Sequence, residues 1–235
     1  MCGEAASSLV ISEKLGISFS HVLLLFHKPY GVLCQFTPDQ PGQKTLADFR
    51  FPKGVYPVGR LDMDSEGLLL LCDEPGFNHR FLDPEQGHPR TYWVQVEGEP
   101  DEAALKTLRS GGIMIHGHET RPCEVERIKE PDIPPRDPPV RFRQSIPTTW
   151  LRMELVEGKN RQVRRMTAAV GFPTLRLIRC KIGGLKEITL LSGEWRELDA
   201  EERERLMESA HLGRAHRGIF TRKLPRKSPP RKPPR

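Results

Sequence analysis

The chain of 235 residues has no apolar run long enough to span a bilayer as a helix. Its first residues, Met1-Cys2-Gly3-Glu4, lack the basic start and long apolar stretch of a secretory signal. Cys2, Cys34, Cys72, Cys123 and Cys180 are odd in number, scattered and without a Cys-x-x-Cys pair. That argues against a disulfide framework or a zinc site and fits a reducing, cytoplasmic setting. There is no Walker-type loop and no GxGxxG, so nothing supports a nucleotide cofactor. His116 and His118 lie in a Gly-rich segment with no third ligand at a recognisable spacing, which speaks against a metal.

Acidic residues are missing from two stretches. From His211 onward there are nine Lys or Arg and no acid; without those nine, the formal net charge of +6 becomes −3 for residues 1–210. The body is therefore not basic overall. Between Gly158 and Lys186 there is again no acid, but there are Lys159, Arg161, Arg164, Arg165, Arg176, Arg179, Lys181 and Lys186. A basic stripe on an acidic body is the footprint of a polyanion partner; the plainer alternative is a solvated charged face.

Periodicity and turn signals divide the chain into short elements. Residues 1–20 are a loose lead-in. Strands are expected at 21–26, 32–36, 55–58, 68–71, 92–96, 113–115, 123–128, 150–156 and 174–178. Short helices fit 45–49 with Thr45 as a cap, 77–82, 101–109 stopped by Gly111-Gly112, and 161–170 with Val163, Met166 and Val170 on one face. A charged helix is expected over 194–209, and the five prolines of 131–139 mark an extended loop. Many strands with helices in irregular order predict an α+β fold with a mixed, largely antiparallel sheet and flanking helices. Residues 21–210 form its single domain. Residues 211–235, nearly all Lys, Arg, Pro and Ser at their end, are expected to be disordered.

Three constellations carry chemistry. In Gly59-Arg60-Leu61-Asp62-Met63-Asp64-Ser65-Glu66-Gly67, a polar turn separates Val55–Val58 from Leu68–Leu71. An Asp on a tight turn between buried strands is held in place, as covalent chemistry requires. It could also simply cap the turn beside Arg60, or Asp62 and Asp64 could form an acid/base pair whose distance the spacing does not fix. In Glu157-Gly158-Lys159-Asn160-Arg161-Gln162-Val163-Arg164-Arg165-Met166, a strand gives way to a helix with Arg161, Arg164 and Arg165 on one face. Three guanidinium groups so placed favour phosphate, or one of them turns inward to pair with Asp62. Tyr92 of Arg90-Thr91-Tyr92 is either a core residue or a stacking surface for a base.

Taken with Lys28-Pro29-Tyr30-Gly31-Val32, Gly171-Phe172-Pro173 and Leu175-Arg176-Leu177-Ile178-Arg179, these segments occur in the order found in the RsuA family of pseudouridine synthases, which the chain resembles over residues 21–200. The resemblance implies a two-lobed fold with a central RNA-binding cleft. It also implies conversion of one uridine of 23S ribosomal RNA to pseudouridine without cofactor or metal, by a protein expected to be monomeric and free of membranes. On that basis Asp62 is the nucleophile, Tyr92 packs on the target base, Arg164 pairs with the catalytic carboxylate, and Arg60 fills the space left by the extruded base. Lys159, Arg161, Arg165, Arg176, Arg179 and Lys181 are then candidates to hold phosphates. Many relatives carry a small S4-type domain before the catalytic one; about twenty weakly patterned residues stand there in this chain. A catalytically silent RNA-binding assembly factor would share the basic stripe, but only the enzyme needs Asp62, Tyr92 and Arg164 together. A nucleic-acid glycosylase would leave an abasic site.

Overall fold

The structure is a computed structural model that describes residues 21–141, 143 and 145–209. The expectations for residues 1–20 and for 211–235 fall outside the described residues.

Twelve strands are present among them: β1 (Leu23–Lys28), β2 (Val32–Leu33), β3 (Lys44–Thr45), β4 (Tyr56–Val58), β5 (Glu66–Cys72), β6 (Arg90–Glu97), β7 (Met114–Ile115), β8 (His118–Glu119), β9 (Glu124–Ile128), β10 (Thr148–Leu155), β11 (Thr174–Ile182) and β12 (Trp195–Glu197). The helices are α1 (Phe77–Leu82), α2 (Glu102–Ser110) and α3 (Gln162–Ala169), with a 3-10 turn at Leu46–Phe49 and helical residues at 200–209. Eight strands form one sheet in the order β12-β1-β5-β11-β6-β10-β9, with β4 also paired to β5. Every pairing in this sheet is antiparallel except β5 with β11. The expected mixed, largely antiparallel α+β sheet is present.

β5 explains how the halves are joined. Its residues Glu66–Cys72 are buried throughout. Successive side chains of a strand point to opposite faces, so an unbroken apolar run requires cover on both. Leu68, Leu70 and Cys72 pack with Leu23, Leu25, Phe77, Phe81, Ile182 and Leu206, whereas Leu69 and Leu71 pack with Leu24, Phe26, Leu46 and Leu61. A third cluster, around Val94, Leu105, Leu151, Met153, Met166 and Leu177, belongs to β6, β10, β11, α2 and α3. The two halves meet at the short parallel seam where Ile178 lies opposite Glu66 and Arg179 opposite Gly67. A Cβ on Gly67 would sit 2.4 Å from the Arg179 carbonyl oxygen, and its φ is +107°, so only glycine permits this approach.

Local chemistry sets the short elements. Thr45 accepts from the Ala47 amide while the Asp48 carboxylate accepts from the Thr45 amide, a capping box on the 3-10 turn. Asp101 caps α2 by accepting from the Ala104 amide at 2.8 Å. Of the stretch 32–36, only Val32–Leu33 is strand. The helix expected over 194–209 is instead a strand followed by a helix. Trp195–Glu197 adds to the β1 edge, with Arg196 opposite Leu25, and Asp199 then caps the helical residues by accepting from the Glu202 amide at 2.8 Å. The proline-rich loop is tied across the sheet: Pro134 O accepts from Arg176 Nη1 at 3.1 Å, and the Arg136 guanidinium lies over the Tyr30 ring, 4.1 Å from its centroid.

Candidate active site

The turn that carries Asp62 is held from several sides. β4 leads into it, and the Gly59 amide donates to Asn78 Oδ1 of α1 at 3.1 Å. Leu61 is buried in the core. The Asp62 carbonyl accepts from the Ser65 amide at 3.0 Å, and the Met63 carbonyl accepts from the Gly31 amide at 2.8 Å. The Lys28-Pro29-Tyr30-Gly31 turn thus braces the Asp62 turn. Lys28 itself is fully buried and donates to the carbonyls of Pro29 and Val32 at 2.9 and 2.8 Å. Burial pushes its pKa down to about 8, against the opposing pull of Cys34, Glu66, Asp64 and Asp62.

Asp62 opens onto a cavity of about 510 Å³ lying between the core clusters of the two halves, with Leu70 and Ile182 on one side and Leu155, Val163 and Leu177 on the other. Tyr92 of β6 lines the same cavity, as do Arg60, Lys159, Arg161 and Arg179. These six are the predicted site residues that the fold brings together. Tyr92 is half-buried, packed against the cluster under β6 and β10. It is both a core residue on one side and a cavity wall on the other.

The ion pairs differ from expectation. Arg164 was expected to pair with Asp62; the carboxylate it meets is Asp64. Its Nε lies 3.4 Å from Asp64 Oδ2, while Nη2 donates to the Asp64 carbonyl at 2.6 Å and Nη1 to the Thr174 carbonyl at 3.3 Å. Arg164 points there because α3 packs Val163 and Met166 into the core, and the next side chain round the helix faces β11 and the turn. The guanidinium near Asp62 is Arg161, 3.6 Å from Asp62 Oδ2, and it grips Asp64 with two hydrogen bonds of 2.8 Å. Arg161 precedes α3 in the left-handed region, φ 52°, so it does not share a helix face with Arg164 and Arg165. Arg165 folds back onto the carbonyl and side chain of Asn160. Burial tends to raise the Asp64 pKa, but the hydrogen bonds from Arg161 and the charge of Arg164 outweigh it and hold the carboxyl below its usual range.

Arg176 is a second correction. Expected to hold phosphate, it is buried and donates through Nε and Nη2 to Glu66 at 2.9 and 2.8 Å. Arg179 is also buried and donates through Nε to the Leu68 carbonyl at 2.7 Å. Lys181 is half-buried on β11, opposite Thr91 and off the cavity. The acid-free stretch from 158 to 186 is thus answered by Asp62, Asp64 and Glu66 from about one hundred residues away.

Sequence reasoning missed two organising residues. Asp64 was weighed only as half of an acid/base pair; the signal was its place two residues from Asp62. Glu157 anchors the loop into α3 by accepting from the Arg121 amide at 2.8 Å and from Gln162 Nε2, with His118 Nε2 at 2.9 Å. His118 therefore faces a carboxylate.

A carboxylate beside a guanidinium, an aromatic wall and a cationic rim in one cavity can receive an everted nucleotide and attack it. The comparisons with known proteins agree with that class. Residues 22–169 match the model of the RNA pseudouridylate synthase family. The chain is 51% identical, over 76% of its length and 96% of the relative, to ribosomal large subunit pseudouridine synthase E of Xanthomonas campestris pv. campestris. It is 52% identical to the protein of the same name from Vibrio vulnificus, over 83% of this chain and 80% of the relative. Ribosomal large subunit pseudouridine synthase B of Bacillus subtilis is 32% identical over 82% and 74%. A crystal structure of a pseudouridylate synthase superposes with a TM-score of 0.65 at 26% identity, covering 79% of this chain and 74% of that one. The chain belongs to the RNA pseudouridylate synthase family.

Proposed function

We propose that this protein isomerises a specific uridine of 23S ribosomal RNA to pseudouridine, with Asp62 as the nucleophile. The observation that carries the assignment is the placing of the Asp62 carboxylate and the Tyr92 ring on one cavity between the halves of the sheet. The names of the most similar relatives, at about half identity, support the large ribosomal subunit as the source of the RNA.

The reaction breaks the bond from ribose C1′ to uracil N1 and makes one from C1′ to C5. The C5 proton is lost and N1 gains one, so no oxidant or cofactor enters the balance. The uridine must leave its stack to reach Asp62, and the face of Tyr92 receives the detached ring. Arg161, 3.6 Å away, sets a positive charge beside the attacking carboxylate. A covalent link to Asp62 keeps the fragments together while the base turns. Arg60, at the exposed mouth, fills the space the base vacates. Lys159 and Arg161 sit where they can meet the backbone, positioning the RNA without reading its sequence. Residues 21–210 act as the catalytic domain, as a monomer in the cytoplasm, and the basic residues after 211 add affinity.

The test is tritium release from 23S RNA labelled at uridine C5. The wild type releases tritium and forms pseudouridine; Asp62→Asn loses at least about a thousandfold in rate. Equal release by both, or none by either, overturns the assignment. Free uracil with an abasic site would indicate a glycosylase.

A further inference from the structure

The cavity holds more positive charge than its own carboxylates neutralise. Six Lys or Arg and three Asp or Glu line it. Each carboxylate already has a partner, and Glu157 also stands 3.9 Å from Arg121 Nε. Asp62 faces Arg161, Asp83 Oδ1 accepts from the Glu85 amide at 2.8 Å, and Glu157 holds the loop before α3.

Two of the cations, Arg90 and Arg179, differ from those at the mouth. They project from neighbouring strands, β6 and β11, where Arg179 lies opposite Tyr92 and Ile182 opposite Arg90. Strands fix them more firmly than loops do. Arg179 commits only Nε, to the Leu68 carbonyl, which leaves both its Nη groups free of protein acceptors among the described residues. The Arg90 side chain has neither an ion pair nor a hydrogen bond among them, and a Cβ on Gly158 would lie 3.7 Å from its Nη1. Burial and the charge of Arg179 both weigh against the charged form of Arg90, with only Tyr92 opposing them. Two like charges held close together in a partly buried cavity repel unless an anion lies between them.

We propose that Arg90 and Arg179 form a phosphodiester-binding subsite for the nucleotide whose base rests on Tyr92. It rests on the reading that an RNA nucleotide enters this cavity. Uracil is neutral and offsets neither guanidinium; a phosphodiester brings one negative charge shared over two oxygens that can lie between them, and guanidinium matches its oxygens in pairs. Arg90 and Tyr92 point to the same face of β6, about 7 Å apart, so one nucleotide can span both. Arg60, Lys159 and Arg161 meet the RNA first, and the inner pair seats the target nucleotide.

The experiment uses the full chain and two probes. In the first, inorganic phosphate at constant ionic strength shields Arg90 and Arg179 of the wild type from an arginine-directed dicarbonyl, with modified peptides read by mass spectrometry. Protection of both residues supports the subsite; modification at the same rate with phosphate or chloride overturns it. This arm needs neither turnover nor a variant, so it stands even if tritium release shows the proposed reaction to be wrong. In the second, Arg90→Gln raises KM for RNA by about tenfold to a hundredfold with kcat little changed, and lowers the salt slope by about 0.7. Arg90→Lys restores most of the slope. A loss confined to kcat, or an unchanged KM and slope, overturns the proposal.

Discussion

Arg161 holds Asp64 with two hydrogen bonds of 2.8 Å while its Nη1 stands 3.6 Å from the Asp62 carboxylate. One guanidinium thus serves two acids two residues apart. The tight bond goes to Asp64, and the looser approach to Asp62 leaves that carboxylate open to the cavity. Asp64 is the residue that positions Arg161, and through it the charge beside the proposed nucleophile, Asp62.

Asp64→Ala should therefore impair catalysis while leaving the Asp62 carboxylate in place. Tritium release should fall about tenfold to a hundredfold in kcat, less than for Asp62→Asn. A double-mutant cycle of Asp64→Ala with Arg161→Ala should give a coupling of about 1 kcal/mol in unfolding free energy. Additive effects would show that the bidentate contact does not form in solution.

The low pKa of Asp64 has a sign that can be measured. A carboxyl whose folded pKa lies below its unfolded value stabilises the fold fully above the unfolded value, and that contribution is lost as pH falls through the folded one. Its ordinary value is 3.8. The advantage of the wild type over Asp64→Asn in urea midpoint should be constant from pH 7 to about 5 and shrink below about 4.

Lys28 shows linkage of the same sign at higher pH. Its pKa falls from 10.5 to about 8 on folding, so the unfolded chain binds more protons between those values. Wild-type stability should rise relative to Lys28→Met as pH increases from 8 to 10.5. A flat difference would mean that the ammonium is not desolvated.

Arg176 separates a structural cation from an RNA-binding one. Arg176→Met leaves the Glu66 carboxylate buried without its partner and should cost about 3–5 kcal/mol of stability. The salt slope of RNA binding by the folded fraction should not change. A reduced slope would return Arg176 to the phosphate contacts.

Gly67→Ala tests the seam between the halves. Its Cβ would meet the Arg179 carbonyl at 2.4 Å, whereas Gly42, at a similar positive φ of 83°, has nothing within 4 Å. Gly42→Ala should cost about 1 kcal/mol, the conformational term alone, and Gly67→Ala at least about 3 kcal/mol. Urea unfolding of both variants makes the comparison.

Most strands were legible because their apolar residues alternate or run continuously between turn residues, as in Leu68–Leu71 and Leu151–Leu155. The stretch 194–209 misled because its charged, helix-compatible residues carry no apolar alternation. Trp195–Glu197 becomes a strand only because β1 offers it an unpaired edge. At the site, Asp62 and Tyr92 stood out by their motifs. The partners of Arg161, Arg164 and Arg176 did not, because each acid lies about one hundred residues from its base and no local pattern links them.

By itself the sequence determined most of the elements, the α+β class, the polar turn around residue 62 and the basic stretch beginning at residue 159. Those follow from side-chain period, turn chemistry and charge, which act over a few residues. Only the tertiary structure decided which cations are neutralised and which face the cavity. That choice is made where β5 meets β11 and α3 meets the Asp62 turn, since an ion pair depends on distance through space and on burial rather than on separation along the chain.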